Sequence, residues 1–169
     1  MSTQPSICIK SSFKWDTMAI IVTIVFNAIL ISFVISAFKS SIILLELVSL
    51  LMTVSCALFV PVRLIVSKDT IIIRRPIGTV KIDMSDIMNC SIVENEERFF
   101  DKTIRTCGSG GAYGYWGYFR HDVYGKIRLF VTHKKQCFLI KLNNGKYYVI
   151  SSKKREKIVK FIINNIKSH

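Results

Sequence analysis

Acidic residues are scarce in this chain. Eleven Asp and Glu stand against 24 Lys and Arg, a formal net charge of +13, so any charged partner is expected to be anionic. Histidine occurs three times (His121, His133, His169), never beside a Cys or Ser in a nucleophile signature. The five cysteines (Cys8, Cys56, Cys90, Cys107, Cys137) show no C-x-x-C or other metal-ligand spacing. Reduced structural thiols in a reducing compartment are the reading that remains. No G-K-[ST] triplet is present, which excludes a Walker loop. Asp83 and Asp86, three apart beside a strand, read as turn and capping residues rather than an acid–base pair. These absences point away from an enzyme and leave no cofactor or metal to expect.

Charge is also nearly missing from the first 60 residues, where Lys10, Lys14 and Lys39 face Asp16 and Glu46. The remaining 21 basic and 9 acidic residues all follow, so an apolar front half joins a strongly basic back half. Residues 18–38 (MAIIVTIVFNAILISFVISAF) carry no charge, and residues 41–60 (SIILLELVSLLMTVSCALFV) only Glu46. Each matches the roughly 20 apolar residues that cross a hydrocarbon core of ~30 Å. Only Lys39 and Ser40 separate them, so two antiparallel transmembrane helices are expected, after an N-terminal tail at 1–17. A cleaved signal peptide fits poorly, because the run is long and no small-residue cleavage site follows. Lys10 and Lys14 before the pair, and Arg63, Lys68, Arg74 and Arg75 after it, place both termini in the cytoplasm. The expected location is a membrane, crossed more than once, with the basic back half at its inner face.

Two polar residues inside the spans need partners. Asn27 is expected to reach across to the stripe Ser49, Thr53, Ala57 on the second helix. Glu46, about one turn from the outer end, either snorkels or pairs with Lys39, or serves a function of its own.

From Pro61 the pattern turns to strands. Residues 62–66, 70–74, 78–82, 87–93, 126–132, 137–142 and 146–150 are β-rich runs, seven in all. Arg75-Pro76-Ile77-Gly78 suits a type I turn, and Asn144-Gly145 a tight hairpin. Then Ile158, Val159, Ile162, Ile163 and Ile166 recur at helical spacing over 152–167, with Ser151 or Ser152 as the N-cap. The expectation for 61–169 is a mainly β, α+β domain: a bent seven-stranded barrel or sheet closed by a C-terminal helix.

Between the strands lies CGSGGAYGYWGYFR (107–120), with five glycines in ten positions. From Gly108 a dinucleotide fingerprint would need glycine where Tyr113 stands, and no helix follows. Two readings stay open. The glycines permit bulges while the aromatics cover the domain, or Tyr115, Trp116, Tyr118 and Phe119 form an exposed loop for lipid headgroups or a protein. Lys153, Lys154, Arg155 and Lys157 crowd the start of the last helix, where cations oppose its macrodipole. They form either a solvated face or a patch for anionic lipid.

Element order and particular residues resemble the bacterial pleckstrin-homology-like (PH-like) domains found as membrane-anchored cytoplasmic modules. The resemblance rests on Ile71-Ile72-Ile73-Arg74-Arg75, Gly78-Thr79-Val80, Ser85-Asp86-Ile87, the glycine segment, and Asn144-Gly145-Lys146-Tyr147. It implies a seven-stranded barrel with a capping helix and no catalytic activity. Eukaryotic relatives of that fold often bind inositol phospholipids through basic residues flanking the first hairpin; Arg74, Arg75 and Lys81 are the nearest equivalents here, at a different spacing. The expected function is a non-enzymatic binding or assembly module at the inner membrane surface. Its expected partners are anionic lipid and a protein, which includes a second copy of the chain, and not nucleic acid. The alternative is a structural or regulatory subunit that scaffolds a membrane protein and has no ligand.

Overall fold

The computed structural model describes residues 8–40, 47–48, 50–51, 54 and 57–167. The chain opens with strand β1 (Ile9–Ser12) and passes directly into helix α1 (Thr17–Ser40). After the second apolar stretch come β2 (Arg63–Val66), β3 (Thr70–Arg74), β4 (Thr79–Asp83) and β5 (Ile87–Ile92). A short helix α2 (Glu96–Asp101) leads to a long ribbon, β6 (Thr103–Gly111) and β7 (Gly114–His121). Strands β8 (Gly125–Val131), β9 (Cys137–Leu142) and β10 (Tyr147–Ser151) follow, and α3 (Arg155–Lys167) completes the domain.

Two sheets result, ordered β1-β2-β3-β4 and β5-β9-β10-β8-β7-β6. All pairings are antiparallel except β8 with β10, which run parallel because the β9–β10 hairpin folds back beside β8. Strict alternation makes the first sheet one-sided: in β3 and β4 the residues Ile71, Ile73, Val80 and Ile82 are buried and their neighbours are not. They meet Cys90, Phe138, Ile140 and Ile150 of the second sheet, and α3 closes the gap with Ile158, Val159 and Ile162. Each such aliphatic side chain contributes about 1.5–3 kcal/mol by leaving water. The six-stranded sheet is buried on its other face too, where Val93, Phe119, Ile127, Leu129 and Val149 pack under Phe99 of α2.

The seven expected strands correspond to β2–β5 and β8–β10, and the α+β, PH-like architecture is present. Three further strands correct the expected count. The stretch 1–17 is not simply a tail, since Ile9 to Ser12 pair with Val66 to Arg63 and extend the first sheet. The glycine segment is not a loop, since Gly108 lies opposite Gly117 within the β6–β7 ladder. The last helix begins at Arg155, three residues later than expected, and Ser152 closes the turn that leads into it, its Oγ accepting from the Lys154 N–H at 3.2 Å.

Helix α1 differs from everything else in the fold. Its 17–36 stretch has a mean hydropathy of 2.8 and is long and apolar enough to cross a membrane. Ala19 is its one fully buried residue among those described, while Met18, Ile24, Ile31 and Ile35 are each about 60 % exposed. Most of the expected second span, with Glu46, Ser49 and Thr53, lies outside the described residues. Leu47, Val48, Leu50, Leu51, Val54, Ala57 and Leu58 within it are helical.

Candidate functional site

The glycines of the ribbon serve backbone approach. Gly108 and Gly117 face each other with φ of +127° and +118°, and a Cβ on either would overlap the opposite strand's backbone oxygen, of Trp116 or Cys107. Freed from side chains, the ribbon reaches α1 with its tip. Tyr113, at φ +57°, is the residue that seats it. Its N–H donates to Thr23 Oγ1 at 2.8 Å and its hydroxyl donates to Asn27 Oδ1 at 3.1 Å. Its ring meets Trp15 edge-on, with centroids 6.0 Å apart. Ser109 Oγ donates to the Ala112 carbonyl, so polar groups of the tip are satisfied within the protein. Asn27 thus finds its partners in Tyr113 and, through Nδ2, the Thr23 carbonyl at 2.6 Å. The expected bond across to the second helix falls on Ser49 and Thr53, which lie outside the described residues.

The base of α1 is fixed just as firmly. The Asp16 N–H donates to the Thr132 carbonyl at 2.7 Å, and Thr132 Oγ1 donates to the Lys14 carbonyl at 2.7 Å. The second apolar stretch is bonded to the domain where it ends: Ile77 N–H, in the β3–β4 turn, donates to the Leu58 carbonyl at 3.1 Å.

Around that exit lies a set of cations and aromatic rings. Arg74 and Arg75 part company: Arg74 stays on the exposed outer face of the first sheet, across from Arg63, while Arg75 turns toward Phe59, its Cζ 5.5 Å from the ring centroid. Phe59 in turn packs on Trp116, centroids 5.8 Å apart. Trp116 and Tyr118 stand opposite Phe130 and Arg128 in the β7–β8 ladder. The Arg128 Cζ lies 5.1 Å from both the Tyr118 and the Phe130 ring centroids. Burial, and then the nearby charge of Arg128, hold the Arg75 guanidinium below the usual arginine range.

The other expected site residues are spread out. Phe119 is buried in the core and Tyr115 half-buried under the Lys134 ammonium, which removes both from an exposed aromatic surface. Tyr118 is 55 % exposed and Trp116 half-buried. Lys81 lies on the outer face of the first sheet, in one cross-strand row with Lys10. At the start of α3, Arg155 is taken up by an ion pair with Glu96, which ties α3 to α2. Lys154 Nζ donates to the Lys10 carbonyl at 3.0 Å, and Lys157 is exposed. Lys153 approaches Lys14, whose proximity lowers its pKa, so two cations crowd together beside the entry to α1. Cys90 and Cys137 are core thiols; burial pushes Cys90 up to about 12 and Cys137 higher still. His121 Nδ1 accepts from the Val123 and Tyr124 N–H groups, a turn-forming role.

Sequence reasoning missed Arg128, Tyr113 and Lys14. Arg128 carried a visible signal, as the charged residue between Ile127 and Leu129 on the opposite face of an alternating strand.

Two facing sheets, one-sided strands and a terminal helix sealing the open side define a small, PH-like binding fold. A sequence model described as a bacterial PH domain matches residues 62–166, well over half of the chain, and the protein belongs to that family. Comparison with curated proteins and with solved structures gives no match.

Proposed function

We propose that this protein is a non-catalytic binding and assembly module held on the cytoplasmic face of a bacterial inner membrane by a two-helix hairpin at 18–60. One observation carries the reading: β1, before the apolar stretch, and β2, after it, are neighbours in one sheet. A chain that leaves a sheet and returns to the same sheet crosses a bilayer an even number of times. Zero crossings would leave the apolar side chains of α1 in water, at about 25 cal/mol for every Å² exposed. Two crossings give them hydrocarbon. The same pairing argues against a cleaved leader, because cleavage after α1 would strip the sheet of β1. Clustered cations next to the entry of α1, Lys14 with Lys153, would then face the headgroups, where an anionic leaflet attracts basic residues.

Reporter fusions test the topology. Alkaline phosphatase inserted at Lys39 should be active in living cells and the same enzyme fused after His169 inactive. Activity at His169, or its loss at Lys39, overturns the two-span reading.

A further inference from the structure

A cleft of about 490 Å³ opens between α2, the end of β5 and the turn that joins β7 to β8. It borders the second core, so its floor is apolar: Val93, Phe99 and Leu139 line it and are buried. Tyr124 forms a half-buried wall, its ring tilted against Phe99 with centroids 5.9 Å apart. The polar groups are few and lie together. Thr103 stands opposite His121 in the β6–β7 ladder, and the Lys102 carbonyl accepts from the Asp122 N–H at 3.2 Å, which holds Lys102 beside His121. Both line the cleft, as do Arg98 and Glu94.

His121 carries an unmet demand. It is 4 % exposed, and its ring stacks on Phe99 with centroids 4.5 Å apart. Its Nδ1 already accepts from the Val123 and Tyr124 N–H groups, so the neutral ring keeps its proton on Nε2. Burial lowers the pKa, which favours that neutral form. Buried donors normally have partners. Nε2 has none among the described residues and, unlike Trp116 Nε1, is not sealed from solvent, so its N–H opens onto the cleft that His121 lines. Two cations stand with it: neither Arg98 nor Lys102 has a carboxylate within ion-pair distance among the described residues. A fixed N–H and an ammonium at the edge of an apolar floor suit an anion with an apolar body.

Charge selects the anion. Arg98 and Lys102 against Glu94 leave the lining one positive charge in excess, and Asp122 is exposed outside it. A carboxylate balances that charge, whereas a phosphate monoester would bring nearly two against Glu94. Placement argues against lipid. β7 begins beside α1, where the neighbouring Thr132 carbonyl holds the Asp16 N–H, and His121 ends the strand roughly 23 Å further on, at ~3.3 Å per residue. The cleft also lies on the face of the six-stranded sheet turned away from the first sheet, which carries Arg74 and Lys81. We propose that it binds a carboxylate on an apolar body of about the size of a phenyl ring, held by His121 Nε2 and the Lys102 ammonium with Arg98 at the rim. This inference rests on the binding-module reading, and on the two-span topology only in setting lipid aside.

The test uses the full chain in detergent, with nitrogen-15-labelled histidine. The chain has three histidines, so His133 and His169 serve as internal controls for His121. Ring signals are titrated with 3-phenylpropionate, its neutral amide, phenyl phosphate, and a tripeptide ending in phenylalanine with a free or an amidated terminus. A saturable shift of His121 alone is expected from the acids, at least tenfold tighter than from the matching amides and threefold tighter than from phenyl phosphate. Tighter binding of the tripeptide acid than of 3-phenylpropionate assigns the carboxylate to the end of a protein chain, and the reverse order to a free acid. Lys102→Gln should weaken binding tenfold or more, Lys102→Arg by less, and Lys160→Gln on α3 by under twofold, all with unchanged melting of the ligand-free protein. Lower melting of Lys102→Gln with unchanged binding would mean that Lys102 only holds the fold. Amides that match the acids, tighter binding of phenyl phosphate, or no shift at His121 overturns the site. The phosphatase fusions are independent: two spans without a His121 shift sinks this inference alone, and a His121 shift with inverted fusions sinks the topology alone.

Discussion

Helices α1 and α3 are both rich in isoleucine and valine, and they do opposite things. In α3 the apolar residues recur on one stripe, and Ile158 and Ile162 are fully buried against the sheets while Glu156 and Lys157 face water. In α1 they run all round the helix, and its described side chains are mostly exposed. A stripe can be satisfied by one neighbour; a continuous apolar cylinder needs an apolar surrounding. Spacing and composition both separate them: α3 interleaves its stripe with Arg155, Glu156, Lys157 and Lys160, whereas Thr17–Phe38 of α1 carries no charge on any side.

The largest effect that sharpens this contrast is Ile162→Ala. Removing a fully buried side chain should cost about 2–5 kcal/mol, measured by denaturant unfolding of the β-domain in the full chain. Next, Gly117→Ala forces a Cβ into the β6 backbone at φ +118° and should cost about 1–3 kcal/mol, with hydrogen-exchange protection lost first in the β6–β7 ribbon. Alkaline pH acts at a similar scale. Folding raises the Cys90 pKa to about 12, so the folded state holds its proton where the unfolded chain has lost it. That contribution is intact below the unfolded pKa near 9 and fades as pH climbs toward 12, by about 1.4 kcal/mol per pH unit for this thiol. Unfolding at pH 8 and pH 10.5 should show the loss, and Cys90→Ala should shrink it. Tyr113→Phe deletes one hydrogen bond to α1 and should cost about 1 kcal/mol, with most of it vanishing in an Asn27→Leu background. The smallest effect belongs to Ile24→Ala, 62 % exposed on α1, which should leave domain stability within about 0.5 kcal/mol. A loss there comparable to Ile162→Ala would mean that α1 is a core helix after all.

What the sequence made legible follows the same logic. Strands such as β4 and β8 announce themselves because Val80 and Ile82, or Ile127 and Leu129, alternate with polar residues. β1 hid because Ile9-Lys10-Ser11-Ser12 is short, mostly polar, and strand-like only once β2 offers it an edge. The ribbon hid because glycine has no side chain to alternate: in TIRTCGSGG only Ile104 is large and apolar, and it is 67 % exposed. Arg75 was legible as a basic residue at a turn. Its partnership with Arg128 was not, since 53 positions separate them and only the meeting of the two sheets brings them near.

On the two-span proposal, Tyr113 would make the protein's footprint in a bilayer lopsided. Asn27 lies ten residues beyond the first residue of α1, about 15 Å along its axis. Wherever hydrocarbon begins near Met18, acyl chains can wet most of the helix circumference but meet a wedge of folded ribbon on the remaining flank. In that proposed setting one leaflet would adjust its thickness around the wedge while the opposite one need not, a mismatch accommodated at fractions of a kcal/mol per Å.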